Sequence, residues 1–165
     1  MPQVRPTRQS NMRGRDMASK SDIAKAAFDQ GFNCSQSILA AYAEELGLNR
    51  EDALRVAAPF GGGIGRTGAT CGVVTGALMA LGLKYGMTQA DAQAKERMYA
   101  LAQEFMRRFE QQYGVLTCKG LLGLDLSTPE GRQLARERNT HQTVCSGLFV
   151  SATEILDEML DTHLR

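Results

Sequence analysis

Four cysteines, Cys34, Cys71, Cys118 and Cys145, are the one strongly reactive side-chain type that recurs along this chain. They are spaced one per segment, with no C-x-x-C and no finger-like ligand rhythm, so any joint chemistry requires the fold to gather them. Gathered thiolates have two main uses: exchange with disulfides, or ligation of zinc or an iron–sulfur cluster. Cys34, Cys71 and Cys118 are predicted in the first turns of helices, where free backbone N–H groups and the helix dipole lower a thiol's pKa. On that ground Cys34 and Cys71 are expected to be the most acidic thiols, with Cys118 and Cys145 as resolving partners or co-ligands. His141 precedes Cys145 by one helical turn and shares its face. That pair offers a thiolate with its proton partner, or two metal ligands. The plain alternative is four small buried hydrophobes and a surface histidine at a helix start. His163, near the chain end, is assigned no role.

Other motifs exclude more than they assign. Gly63-x-Gly65-x-x-Gly68 followed by a helix matches the dinucleotide fingerprint as a string, but residues 54–60 read as a helix end and no βαβ unit is available. No Lys-Ser or Lys-Thr follows, so it is not a P-loop. These glycines read instead as backbone freedom that presents Cys71, with amides able to hydrogen-bond a thiolate or cluster sulfur. No serine sits in a nucleophile elbow and no paired-carboxylate motif is present. Two histidines cannot supply the repeated Glu-x-x-His pairs of a di-iron bundle.

The elements that must position the cysteines are all helical in period, with no sustained strand alternation. A first helix starts at Ser21-Asp22 and ends at Gly31. Asn33 caps a second, reaching Leu46 with Cys34 in its first turn. Asn49 opens a third, which ends before Pro59. The glycine loop follows, then a helix over residues 70–85. Along it Gly68, Gly72, Gly76 and Ala80 recur every four residues, a smooth stripe that admits another backbone. Thr88-x-x-Asp91 resembles a capping box for the longest helix, whose inner face is Met98, Leu101, Ala102, Phe105, Phe109 and Tyr113. Cys118 enters a short apolar turn, Thr128-Pro129 starts another helix, and the last runs from about Thr140 to Asp161. The prediction is one all-α domain: a single-domain bundle of five to seven helices, with a Gly-rich loop before the helix carrying Cys71.

Composition sets the outer limits. At 165 residues, 43% hydrophobic and 22% charged, the chain suits one soluble globular domain. Its net charge of +1 provides no field to recruit nucleic acid or anionic membrane. Residues 1–20 carry Arg5, Arg8, Arg13, Arg15 and Lys20 against Asp16, a net of +4 that leaves −3 for the rest. This segment is expected to be a basic disordered tail or a start-site extension, with residues 1–16 of doubtful nativeness and Met17 the alternative start. The domain then covers residues 21–163. With no apolar run of the ~20 residues needed to span a bilayer, and no secretory signal in the first twenty, the expected compartment is the reducing cytoplasm. There cysteines serve metal or redox chemistry more often than cross-links.

The cysteines and their surroundings resemble a family named for its cysteine pattern, C_GCAxxG_C_C, to which redox activity is ascribed. The residues carrying the likeness are Phe32-Asn33-Cys34-Ser35-Gln36-Ser37, the Gly61-Gly62-Gly63 loop, and the run from Cys71-Gly72-Val73-Val74-Thr75-Gly76 to Gly82. Cys118 with Leu121-Leu122-Gly123, and then Cys145, complete it. The likeness spans about residues 21–160. It departs from the pattern at the second cysteine, where Thr70 and Gly72 stand in place of Gly and Ala. The resemblance implies a small helical protein with four functionally linked cysteines, a redox partner of unknown identity, and frequent encoding beside transporter genes, which also brings persulfide carriage into view. The rival from another class is a non-enzymatic interaction or homodimerisation module, built on the glycine stripe and eight methionines.

Overall fold

The computed structural model describes residues 18–162, so residues 1–17 of the basic segment, including Met17, and His163 lie outside the described residues. Eight α-helices form among them, and no strand. α1 (Lys20–Asp29) opens on Ser19, whose hydroxyl accepts from the Asp22 amide. It therefore starts inside the segment that the sequence assigned to the tail. α2 (Cys34–Tyr42) opens on a complete capping box: the Asn33 side chain accepts from the Gln36 amide and the Gln36 side chain from the Asn33 amide, both at 3.0 Å. α3 (Arg50–Ala57) is capped by Asn49, with Glu51 and Asp52 in its first turn. A 3₁₀ turn, Ala58–Phe60, leads into the glycine loop.

α4 (Gly72–Tyr85) follows that loop. α5 (Ala92–Tyr113) is capped by Asp91 itself, whose side chain accepts from the Ala94 amide, so Thr88 is not the cap. α6 (Cys118–Leu122) is the helix beyond the expected five to seven; at five residues it is too short for a helical period to register. α7 (Pro129–Glu137) starts with proline at its first position, as expected. The expected last helix begins instead as a π-turn, His141–Cys145, and continues as α8 (Ser146–Thr162).

α2 and α4 are the centre of the bundle, packed on each other and on α1, α3, α5 and α8. Tyr42, Leu39, Leu81, Phe105, Phe109 and Phe149 are fully buried between them. The glycine stripe is consumed inside this core. A Cβ on Gly76 would lie 2.8 Å from the Ser35 carbonyl oxygen and 2.9 Å from Ile38 Cβ; one on Gly72 would lie 2.8 Å from Cys34 Cβ. α2 can approach α4 this closely only where α4 has no side chain. Gly76→Ala gains about 1 kcal/mol of helix propensity but overpacks a backbone contact, at about 1–3 kcal/mol. We expect a net loss, read as a lower urea midpoint for Gly76→Ala than for the parent.

Candidate functional site

The four cysteines converge at one end of this pair of helices. Cys34 is the first residue of α2, held by the Asn33–Gln36 box; Asn33 Nδ2 also donates to the Ala58 carbonyl and Gln36 Nε2 to the Leu54 carbonyl. Cys71 is the residue that caps α4 rather than one within it. An antiparallel bridge between Thr70 and Thr117 brings the Cys118 segment alongside: the Cys71 amide donates to the Leu116 carbonyl at 2.8 Å and the Cys118 amide to the Ala69 carbonyl at 2.7 Å. Cys145 closes the π-turn, where the Ser146 amide reaches back five residues to the His141 carbonyl. All four are reduced thiols.

The glycine loop is wound the wrong way for L-residues. Gly62, Gly63, Ile64, Gly65 and Arg66 have consecutive φ values between +60° and +70°. The coil is tied by the Gly65 amide to the Pro59 carbonyl, the Arg66 amide to Gly61, and the Ala69 amide to Gly63. A Cβ on Gly63 would meet the Ala69 carbonyl at 2.5 Å and Cys118 Cβ at 2.8 Å, so glycine there lets the loop close over Cys118. Glycine density was visible in the sequence. That Ile64 and Arg66 adopt the same left-handed backbone was not.

Cys34, Cys118 and Cys145 line one cavity of about 510 Å³, with His141, Phe28 and Arg66 also in its wall. Cys71 is not in that wall and is 3% exposed. The His141 ring stacks on Phe28, centroids 3.8 Å apart, and Phe28 meets Phe149 edge-on at 5.0 Å. His141 Nδ1 lies 3.9 Å from Asp29 Oδ1 and 3.3 Å from Gln142 Nε2. His141 and Cys145, expected one turn apart on a helical face, are joined instead by a π-turn, and both line the cavity.

Electrostatics reverse the expected order of acidity. Interaction with the neighbouring Cys145 thiol, burial, and the charges of Cys71, Cys145 and Cys118 raise Cys34 well above its ordinary value. The same interaction favours the Cys145 thiolate and lowers Cys145, despite its burial. Burial pushes Cys71 up to about 12, against the pull of the Val73 and Val74 amides at the α4 N-terminus. Burial likewise lifts Cys118 to about 11, with a contribution from Cys145. Helix N-termini were expected to make Cys34 and Cys71 the acidic pair. At Cys34 the interaction with Cys145, together with desolvation, outweighs the dipole, and at Cys71 desolvation does so.

Cys34, Cys71, Cys118 and Cys145 with His141 are the set expected to hold a metal or cluster. Among the described residues no three His, Cys, Asp or Glu side chains are grouped to hold a metal ion. Cys34, Cys118 and Cys145 share the cavity wall, and Cys71 is not among its lining residues. Residues 32–159 match the family model C_GCAxxG_C_C, described as "Putative redox-active protein". No curated protein and no solved structure matches the chain.

Proposed function

The chain belongs to the C_GCAxxG_C_C family of putative redox-active proteins, and from that premise we propose that its redox act is reversible oxidation of Cys34 and Cys145 to a disulfide. The observation that carries this reading is that Cys34 and Cys145 line one cavity and oppose each other in acidity, Cys34 raised and Cys145 lowered by their mutual interaction. One sulfur favoured as thiolate and a second in the same cavity wall support thiol–disulfide exchange, which needs an attacking and a resolving cysteine. Cys145 attacks and Cys34 resolves. His141 stands in the same wall, stacked on Phe28. Cys118 is a further sulfur lining the cavity, whereas Cys71 stays a buried thiol that supports α4.

As a thiol-dependent oxidoreductase the protein is reset by a dithiol reductant, its redox partner. No helix among the described residues is long and apolar enough to cross a membrane. Free thiols of this kind suit a reducing cytoplasm, and that is the compartment we assign. The zinc or iron–sulfur reading has no grouped ligands among the described residues to support it.

Mild oxidation of the reduced protein, followed by peptide mapping under non-reducing conditions, tests the proposal. The expected product links Cys34 to Cys145 and leaves Cys71 and Cys118 free. A Cys71–Cys118 linkage, or a stoichiometric metal that is lost in Cys34→Ser and Cys145→Ser proteins, would overturn it.

A further inference from the structure

The cavity that holds Cys34 and Cys145 also states what kind of molecule reaches them. Cys118 and Cys145 are 7% and 8% exposed and Cys34 is half-buried, which favours a small molecule over a disulfide held within a folded protein. The volume of about 510 Å³ lies within the range of small-molecule sites. No aspartate or glutamate lines it, and Arg66 does. Arg66 is an exposed residue with no ion-pair partner among the described residues, so it brings an uncompensated positive charge to the cavity wall.

The position of Arg66 is fixed rather than incidental. Its φ of +66° is a left-handed conformation that a non-glycine residue adopts at a cost, and its amide is held by the Gly61 carbonyl at 3.0 Å. A Cβ on Gly62 would lie 2.8 Å from Arg66 Cγ, so the loop leaves a gap across which the arginine stem passes. A guanidinium set at the edge of an apolar, thiol-lined cavity matches a carboxylate on a ligand whose sulfur sits deeper.

We propose that the substrate is a low-molecular-weight disulfide carrying a carboxylate, held by Arg66 while its sulfur meets Cys145. The inference rests on the Cys34–Cys145 reading and adds the substrate class to it. In the exchange, the Cys145 thiolate attacks one sulfur of R–S–S–R; the S–S bond breaks, Cys145–S–S–R forms, and R–S⁻ leaves. That thiolate takes the Cys34 proton, and Cys34 then attacks the Cys145 sulfur and expels the second R–S⁻. The protein dithiol is oxidised to the Cys34–Cys145 disulfide, and the substrate disulfide is reduced to one thiol and one thiolate.

The test compares single-turnover oxidation of reduced protein by 3,3′-dithiodipropionate (anionic), bis(2-hydroxyethyl) disulfide (neutral) and cystamine (cationic), each rate divided by that with free dithiothreitol. We expect the anionic disulfide to lead the neutral one by about tenfold, with cystamine slowest. Arg66→Asn, which suits the left-handed backbone, is expected to bring the anionic and neutral rates together, and Arg66→Lys to keep the order. Equal normalised rates in the parent, or an unchanged preference in Arg66→Asn, would overturn the inference. Calorimetry with 3,3′-thiodipropionate, a thioether that cannot exchange, separates the two readings in protein carrying Cys34→Ser and Cys145→Ser. Arg66-dependent binding there supports the anion site even if no Cys34–Cys145 disulfide ever forms. No binding would overturn the anion site even if that disulfide does.

Discussion

Cys34→Ala will slow alkylation of Cys145 by iodoacetamide at pH 7, and Cys34→Ser will slow it much less. Both replacements remove the disulfide, but only alanine removes the polar neighbour whose interaction favours the Cys145 thiolate. Without that interaction, burial is the force left acting upward on Cys145, and its pKa rises. Each unit of rise cuts the thiolate fraction about tenfold, and the more basic thiolate recovers about threefold of that in nucleophilicity, so the rate falls about threefold per unit. A pH profile of Cys145 labelling, read peptide by peptide, measures the rise directly. The Cys145 inflection should move to higher pH in Cys34→Ala and stay nearer its parent position in Cys34→Ser. Equal inflections in all three proteins would mean that Cys34 does not set the acidity of Cys145, and the attacking role would pass from Cys145.

The helices were legible where period, caps and stops agree. Asn33, Asn49, Thr128-Pro129 and Gly114 mark their boundaries through local chemistry that needs no tertiary knowledge. The glycine stripe was legible as a close approach, and which helix approaches was not. That partner is α2, whose carbonyl at Ser35 a Cβ on Gly76 would meet. The site was harder. Any pairing of the four cysteines is equally consistent with their spacing, and the contact between Cys34 and Cys145 depends on how α1, α2 and α8 pack. Phe28 is part of that packing, stacked on His141 and edge-on to Phe149. The π-turn also left no periodic signal, because five residues at a slightly wider period look like ordinary helix.

Acidity was misjudged for a related reason. A helix N-terminus is readable from sequence, and its effect on a thiol is real. How completely a thiol is removed from water is a property of the assembled core, and burial acts in the opposite direction. Of the three thiols assigned to helix starts, none ends below its ordinary value; the lowered one, Cys145, ends a π-turn instead. The sequence thus locates the reactive residue types, while the packing decides which of them ionises.

That burial makes a second large effect measurable at alkaline pH. Cys71 ionises in the folded protein only near 12, against an ordinary value of 9.0, because burial disfavours its thiolate. Below about pH 8.5 both folded and unfolded chains hold the proton, and pH is without effect through this group. As pH rises toward 12, the unfolded chain releases it and the folded chain does not, so stability is lost, by about 1.4 kcal/mol per pH unit and about 4 kcal/mol in all. Cys118, raised to about 11, acts in the same direction. Urea unfolding of fully reduced protein between pH 8.5 and 10.5 reads the slope, and Cys71→Ala isolates the contribution, since every other titrating group is common to the two proteins. At pH 7 the variant should be the less stable, by about 1–2 kcal/mol for the lost sulfur volume. By pH 10.5 the gap should close or invert, because the variant has no thiol to hold protonated. Parallel slopes would mean that Cys71 reaches water in the folded state. It would then stand in the cavity with the other three sulfurs, and the division between an exchanging pair and a buried thiol would fail.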